Sequence, residues 1–249
     1  MGDTMNRREK LICLSHELEG DWLGMYEILK NDWRLDFWQP KMSIMPVQAI
    51  TIYDEDYPAA LLSLRMPPFV LYYEGDLKLL EEPVTAVMGS FAPTAYALNF
   101  AKKIKAASTI AAICDHGVSA TVLKRGRSIG MMASGLQRSF KEEEKMRRQE
   151  VAANGLVISE YPAALPFSWR RYARVCRLLL EMAESLLIFE IGKEDRRLSL
   201  ISSFLKEGLP TFVLPDRLEA SKSAGGLDLL GEGATAMTPE FFEIGIDKQ

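Results

Sequence analysis

Cysteine and histidine are scarce in this chain, with three Cys and two His among 249 residues. Cys13, Cys114 and Cys176 are odd in number, far apart and outside metal-ligand spacing, so neither a disulfide framework nor a zinc site is expected; they read as reduced, mostly buried thiols. His16 and His116 are too few for a multi-histidine metal centre, and a Ser-His-Asp triad would have to depend on one of them, which weighs against hydrolytic chemistry. No full glycine-rich dinucleotide fingerprint is present. The apolar runs stop well short of the roughly 18 residues that a membrane helix needs. The first ten residues, MGDTMNRREK, lack the apolar core of a signal peptide, so no membrane and a cytoplasmic location are the expectations. A formal charge of −4 does not announce nucleic-acid binding, although local basic clusters bind phosphate inside an acidic chain.

What is there reads as an α/β protein. With 48% hydrophobic and 26% charged residues the composition is that of an ordinary globular chain, long enough for one large domain with a small appendage. Residues 1–48 carry Leu11, Leu14, Leu18, Trp22, Tyr26 and Leu29 at helical spacing, with Trp33, Phe37 and Trp38 beyond and Pro40 and Pro46 closing the segment; they predict a small helical N-terminal region whose aromatics pack. From 49 to 249, strand signals alternate with helices: Phe69 to Tyr73, Val84 to Met88, Ile110 to Cys114, Ile129 to Met132, Leu156 to Ser159, Ser185 to Ile191 and Thr211 to Leu214. This is the pattern of a Rossmann-like, doubly wound and mostly parallel sheet. A charged helix, Phe140 to Asn154, ends at Gly155 as C-cap.

Two stretches carry candidate chemistry. In VTAVMGSFAPTAYALNFAKK, residues 84–103, a strand meets Gly89-Ser90, a Pro-containing turn with Thr94, and a helix. Such a junction offers free N–H groups and a positive dipole end to an anion, or simply reverses the chain. In the second stretch, Arg170, Arg171, Arg174 and Arg177 stand at i, i+1, i+4 and i+7 with no acid among them, interleaved with Trp169 and Tyr172. On a helix most of these form a basic stripe that tracks a phosphate backbone while the aromatics stack on unpaired bases; the alternative is pairing with Glu181, Glu184 or the acids from Glu142 to Glu150. Lys124, Arg125 and Arg127 either add phosphate contacts or form a solvated turn. Ser199 and Ser202 either face the same pocket or cap a helix.

Several pieces in order resemble the bacterial DNA-processing family called DprA or Smf: Tyr57-Pro58, Pro67-Pro68, Leu71-Tyr72-Tyr73, the strand ending in Gly89-Ser90, MMASGL from 131, LVISEYPAALP from 156, RRLSLISSFLKEGLPTFVLP from 196 and SAGGLDLLGEGA from 223. The resemblance covers roughly Ile50 to Met237. It implies a non-enzymatic Rossmann-like protein with no cofactor that binds single-stranded DNA, forms homodimers and helps load the recombinase RecA during natural transformation. The chain departs from the family pattern at Phe91, where the GSR motif has Arg, at His116 and Ser119, where Arg and Asp are expected, and at Val175 and Cys176, where Arg and Asn stand. A degenerate paralogue without the DNA site is therefore one alternative. A phosphate-ligand protein of the phosphoribohydrolase type is another, although the PGGxGTxxE loop of that type is missing, Gly225-Gly226-Leu227-Asp228 being the nearest approach. Taking the residue reading and the resemblance together, the candidate contact residues are Gly89, Ser90, Thr94, Lys124, Arg125, Arg170, Arg171, Arg174, Arg177 and Ser199.

Overall fold

The computed structural model describes residues 5–31, 35, 38, 48–105, 108–124, 126–137, 141–216 and 221–244. Trp33, Phe37, Pro40, Pro46, Arg125 and Phe140 lie outside the described residues. Nine strands form one sheet: β1 (Ala49–Thr51), β2 (Val70–Gly75), β3 (Val84–Gly89), β4 (Thr109–Ile113), β5 (Ser128–Met131), β6 (Leu156–Ser159), β7 (Ser185–Phe189), β8 (Thr211–Val213) and β9 (Thr235–Ala236). Their order is β1-β2-β6-β5-β4-β3-β7-β8-β9. The seven strands from β6 to β9 in this order run parallel, and β2 joins β1 and β6 antiparallel. The expected Rossmann-like, mostly parallel sheet is thus present. β1 and β9, three and two residues long, were not foreseen, being too short to carry a periodicity.

Helices cover both faces, so the strands read as continuous apolar runs. Along β7, Leu186 and Ile188 point to one face, and Leu187 and Phe189 to the other. The first face packs Val175, Leu178 and Leu179 of α7 (Trp169–Met182) and Ile201 of α8 (Leu198–Lys206). The second packs α4 (Ala95–Ala101), α5 (Val118–Leu123) and α6 (Glu142–Asn154) through Ala97, Val122 and Val151. Near the start of the chain, α1 (Arg7–Glu17) and α2 (Trp22–Leu29) are set by their caps: Asn6 and Glu9 form a reciprocal capping box, and Asp21 accepts from Gly24 N–H. α1 lies against β1 and β2, where Arg8 donates to the Ala49 carbonyl at 2.7 Å and Tyr72 shares a hydrogen bond with Ser15 at 3.1 Å. α3 (Ala59–Leu62), α9 (Ala224–Gly231) and α10 (Pro239–Ile244) are further helices among the described residues.

Gly155 does end α6, but at φ −159° it is not in the left-handed region. Glycine is required there because a Cβ would meet the Ser128 carbonyl oxygen at 2.3 Å.

The winding sense reverses between β3 and β7. From β3 the chain moves out through β4, β5 and β6, then returns to pair β7 with the free edge of β3 and continues through β8 and β9. Ligands of such sheets collect outside the carboxyl ends of the strands at this reversal. The two strands are tight there, since a Cβ on Gly89 would meet the Phe189 carbonyl oxygen at 2.3 Å and Val118 Cγ2 at 2.7 Å. Backbone cannot yield cheaply, so Gly89→Ala is expected to cost about 1–3 kcal/mol, read as a melting temperature lower by several degrees. An unchanged melting temperature would show that the strands are looser than described.

Candidate functional site

At the reversal, Ser90 N–H donates to the Phe189 carbonyl (3.1 Å), and the Ser90 carbonyl accepts from Val118 N–H (3.2 Å). Thr94 caps α4, its hydroxyl accepting from Ala97 N–H, and its own N–H donates to Glu190 Oε2 at 2.7 Å. Glu190 is buried and follows β7 directly with φ +60°. The turn that the sequence offers to an anion therefore already carries a carboxylate of this chain. The second oxygen, Oε1, is buried with no hydrogen-bond partner.

A guanidinium reaches the Phe91 turn from the other side of the reversal. Arg197, 6% exposed, reaches in from the start of α8. It pairs with Asp195 at 2.7 Å, donates to the Gly89 carbonyl at 2.7 Å and lies over the Phe91 ring at 4.8 Å. Burial alone would push the Asp195 carboxyl up, but its hydrogen bonds and charge contact with Arg197 leave it below the ordinary carboxylate range. Arg197 also approaches the Tyr172 hydroxyl at 3.4 Å, and that hydroxyl donates to Asp115 Oδ2 at 2.8 Å. Burial raises the Tyr172 pKa first and the neighbouring Asp115 charge adds to it, so the phenol keeps its proton. Burial likewise pushes Asp115 up, against the pull of Tyr172, Ser119 and Arg197. Sequence reading missed Arg197 because it is one of two adjacent arginines before a serine-rich helix; the signal was its position on the family's SGS segment, where no Arg belongs.

Beside this network a cleft of about 400 Å³ opens at the carboxyl ends of β4 and β5, between α6 and the first turn of α7. Ile113, Met132, Val151 and Tyr172 wall it, and Asp115 and Arg147 add polar groups, with Arg147 donating to the Asp115 carbonyl at 3.0 Å. Three exposed aromatics form its rim: Phe91, Phe167 and Trp169 at 39, 41 and 56% exposure. Trp169 meets Phe167 edge-on at 5.3 Å and Phe91 at 6.4 Å. Tyr172, expected to stack on bases, instead faces inward; its place on the apolar side of α7 and its bond to Asp115 explain why. Phe91 and Phe167 were not singled out as stacking groups, since nothing local in the sequence brings them to Trp169.

Ser168 caps α7, and the arginines follow. Arg170 projects outward, its side chain 78% exposed, 3.5 Å from Asp21. Arg171 binds Glu19 at 2.9 Å, and Arg174 lies 3.8 Å from Asp21. Arg177 turns inward at 14% exposure, bonded to Glu181 (2.7 Å) and 3.7 Å from Glu160. Burial pushes the Glu160 carboxyl up to about 7 despite Arg177 and Arg174. Of the partners weighed from sequence, Glu181 is seen in this part among the described residues; Glu19 and Asp21, some 150 residues earlier in the chain, were out of reach of local pattern.

Gly89, Ser90, Thr94, Arg170, Arg171, Arg174 and Ser199, exposed in the first turn of α8, therefore gather at the carboxyl edge of the sheet. Lys124 does not: it ends α5 just before β5 begins, at the opposite edge, where Arg127 pairs with Glu82 at 2.6 Å. Arg125 is outside the described residues. Cys13 and Cys176 are buried and Cys114 half-buried. Among the described residues no three metal-ligating side chains converge, and no helix is long and apolar enough to cross a membrane.

Comparison with known proteins places this architecture. Residues 48–243 match the model of the family described as DNA recombination-mediator protein A. The chain belongs to that family. Among its relatives are Protein Smf of Synechocystis sp., 26% identical over 207 residues that cover 78% of this chain and 52% of the relative, and DNA processing protein DprA of Bacillus subtilis, 27% identical over 205 residues covering 77% and 68%. The chain thus spans about half the length of the Synechocystis relative. In fold, it is similar to DprA of Streptococcus pneumoniae (TM-score 0.78, 18% identity, 98% of this chain and 99% of that one). It is also similar to DprA of Helicobacter pylori (TM-score 0.69, 25% identity, 79% and 95%), a structure described for its single-stranded DNA binding mode.

Removing one partner of a buried ion pair strands the other. Arg197→Met is expected to cost about 3 kcal/mol, the low end for buried pairs because Asp195 keeps some contact with water. Adding Asp195→Asn should recover at least half of the loss in a denaturant melt; no recovery would mean that Arg197 acts mainly through Gly89 and Phe91.

Proposed function

We propose that this chain is a DNA-processing protein that binds single-stranded DNA at the carboxyl edge of its sheet, without catalysis. The observation that carries the reading is the exposed trio Phe91, Phe167 and Trp169 at the mouth of the cleft, with the outward Arg170 beside it. Single-strand binders pair aromatic platforms for the bases with cations that follow the backbone. Arg171 and Arg174 continue the track, and Gly89, Ser90, Thr94 and Ser199 border it. The single-stranded DNA binding described for the Helicobacter pylori relative supports the choice of ligand. The family's description as a recombination mediator supports handing the strand to a recombinase, with RecA as the partner. A homodimer acting in the cytoplasm belongs to the same reading.

A second reading is favoured by Glu190 and by the Arg197–Asp195 pair, which put this chain's own charges at the turn beside Phe91, where the family pattern has an Arg: a paralogue that keeps the fold without the DNA site. One titration separates the two. Labelled single-stranded and double-stranded oligonucleotides are followed by fluorescence anisotropy across a salt series. The first reading expects preferential single-strand binding that weakens steeply with salt. It also expects Trp169→Ala to weaken binding about tenfold to a hundredfold, the worth of one stacked base. Absence of binding at low salt would leave the second reading.

A further inference from the structure

The turn between α1 and α2 has an unusual build. Glu19 and Gly20 both adopt left-handed backbone, at φ +52° and +68°. For glutamate this conformation carries a steric penalty, so something must hold it. Gly20 N–H donates to the Ser15 carbonyl at 2.8 Å, and its Cα lies so close to the chain before α7 that a Cβ would meet the Glu160 carbonyl oxygen at 2.7 Å and Tyr161 at 3.0 Å. Pressed against that strand end, the turn delivers two carboxylates to the basic side of α7. Glu19 Oε2 accepts from Arg171 Nη2 at 2.9 Å, while Asp21 Oδ1 stands 3.5 Å from Arg170 and 3.8 Å from Arg174. Two negative groups thus serve three guanidiniums, as successive phosphates of a strand would.

The closure is loose. A space of about 110 Å³ remains between turn and helix, bordered by Ser168 and the three arginines. Side chains of Glu19 and Asp21 are 65% and 41% exposed, and two of the three contacts are longer than hydrogen bonds. Exposed pairs of this kind hold weakly and are screened by salt. A polyanion, by contrast, gains from counterion release with every phosphate neutralised. The turn also lies before residue 48, outside the part of the chain that matches the family.

We propose that the Glu19-Gly20-Asp21 turn is an internal substitute for backbone phosphate, which occupies the basic face of α7 until a nucleic-acid strand displaces it. This rests on the reading of that face as the strand contact. It makes Arg170, Arg171 and Arg174 a guarded surface, and it sets a threshold: short or weakly charged ligands leave the turn in place, whereas a strand long enough to replace both carboxylates opens it.

The test is anisotropy of a fluorescein-labelled oligothymidylate with three full-length proteins: wild type, Glu19→Gln with Asp21→Asn, and Glu81→Gln with Glu184→Gln. Asparagine caps helices as well as aspartate, so α2 keeps its start. Glu81 and Glu184 are exposed just ahead of β3 and β7, at the opposite edge of the sheet, and their removal changes net charge equally. Thermal melts confirm folding, and Glu19→Gln alone replaces the double variant if that does not fold. The expected result is about tenfold tighter binding by the turn variant at low salt, little change in the opposite-edge variant, and a gap that closes as salt rises. Binding by the turn variant where wild type shows none also supports the proposal. Equal affinities in all three, or equal gains in both variants, overturn it while leaving single-strand binding intact. No binding by any of them overturns both.

Discussion

One buried guanidinium holds the carboxyl edge of this sheet together. Arg197 joins the end of β3 through the Gly89 carbonyl, the loop after β7 through Asp195, and α7 through Tyr172, whose hydroxyl carries the chain of bonds on to Asp115 at the end of β4. A charge at 6% exposure is tolerable only when its donors are used, and here Nε and both Nη groups are engaged. The Phe91 ring covers its face. Phe91 and Arg197 meet across the reversal: the ring comes from the turn after β3, and the arginine from the facing loop lies on it.

In the proposed reading, this arrangement moves the ligand contact away from the reversal point. With Glu190 on the α4 N-terminus and Asp195 on Arg197, the reversal point itself is internally neutralised. What stays open lies to its side, in the apolar cleft with its aromatic rim, while the solvent-exposed Arg170 of the α7 stripe is shared loosely with Asp21. Recognition by stacking and backbone charge, as proposed for this edge, tolerates any base sequence.

The order of the central strands and helices was legible because those strands are buried on both faces and so appear as short apolar runs between turn signals; β3, with six consecutive buried residues, is the clearest case. The site was legible only in part. Trp169 and the arginines of α7 stood out because helical spacing is a local property. Glu19, Asp21, Phe167 and Arg197 did not, since their roles come from juxtapositions of segments far apart in sequence. Lys124 shows the converse: a basic residue near a glycine-containing turn looks available from sequence, yet the direction of α5 carries it to the opposite edge.

The central claim is that the rim of the carboxyl-edge cleft touches the bases of a single strand. Photocrosslinking with an oligonucleotide carrying 5-iodouracil, followed by peptide mapping, tests it most directly. The account predicts adducts at Phe91, Phe167 or Trp169, and crosslinks confined to the opposite edge around Lys124 and Arg127 would contradict it.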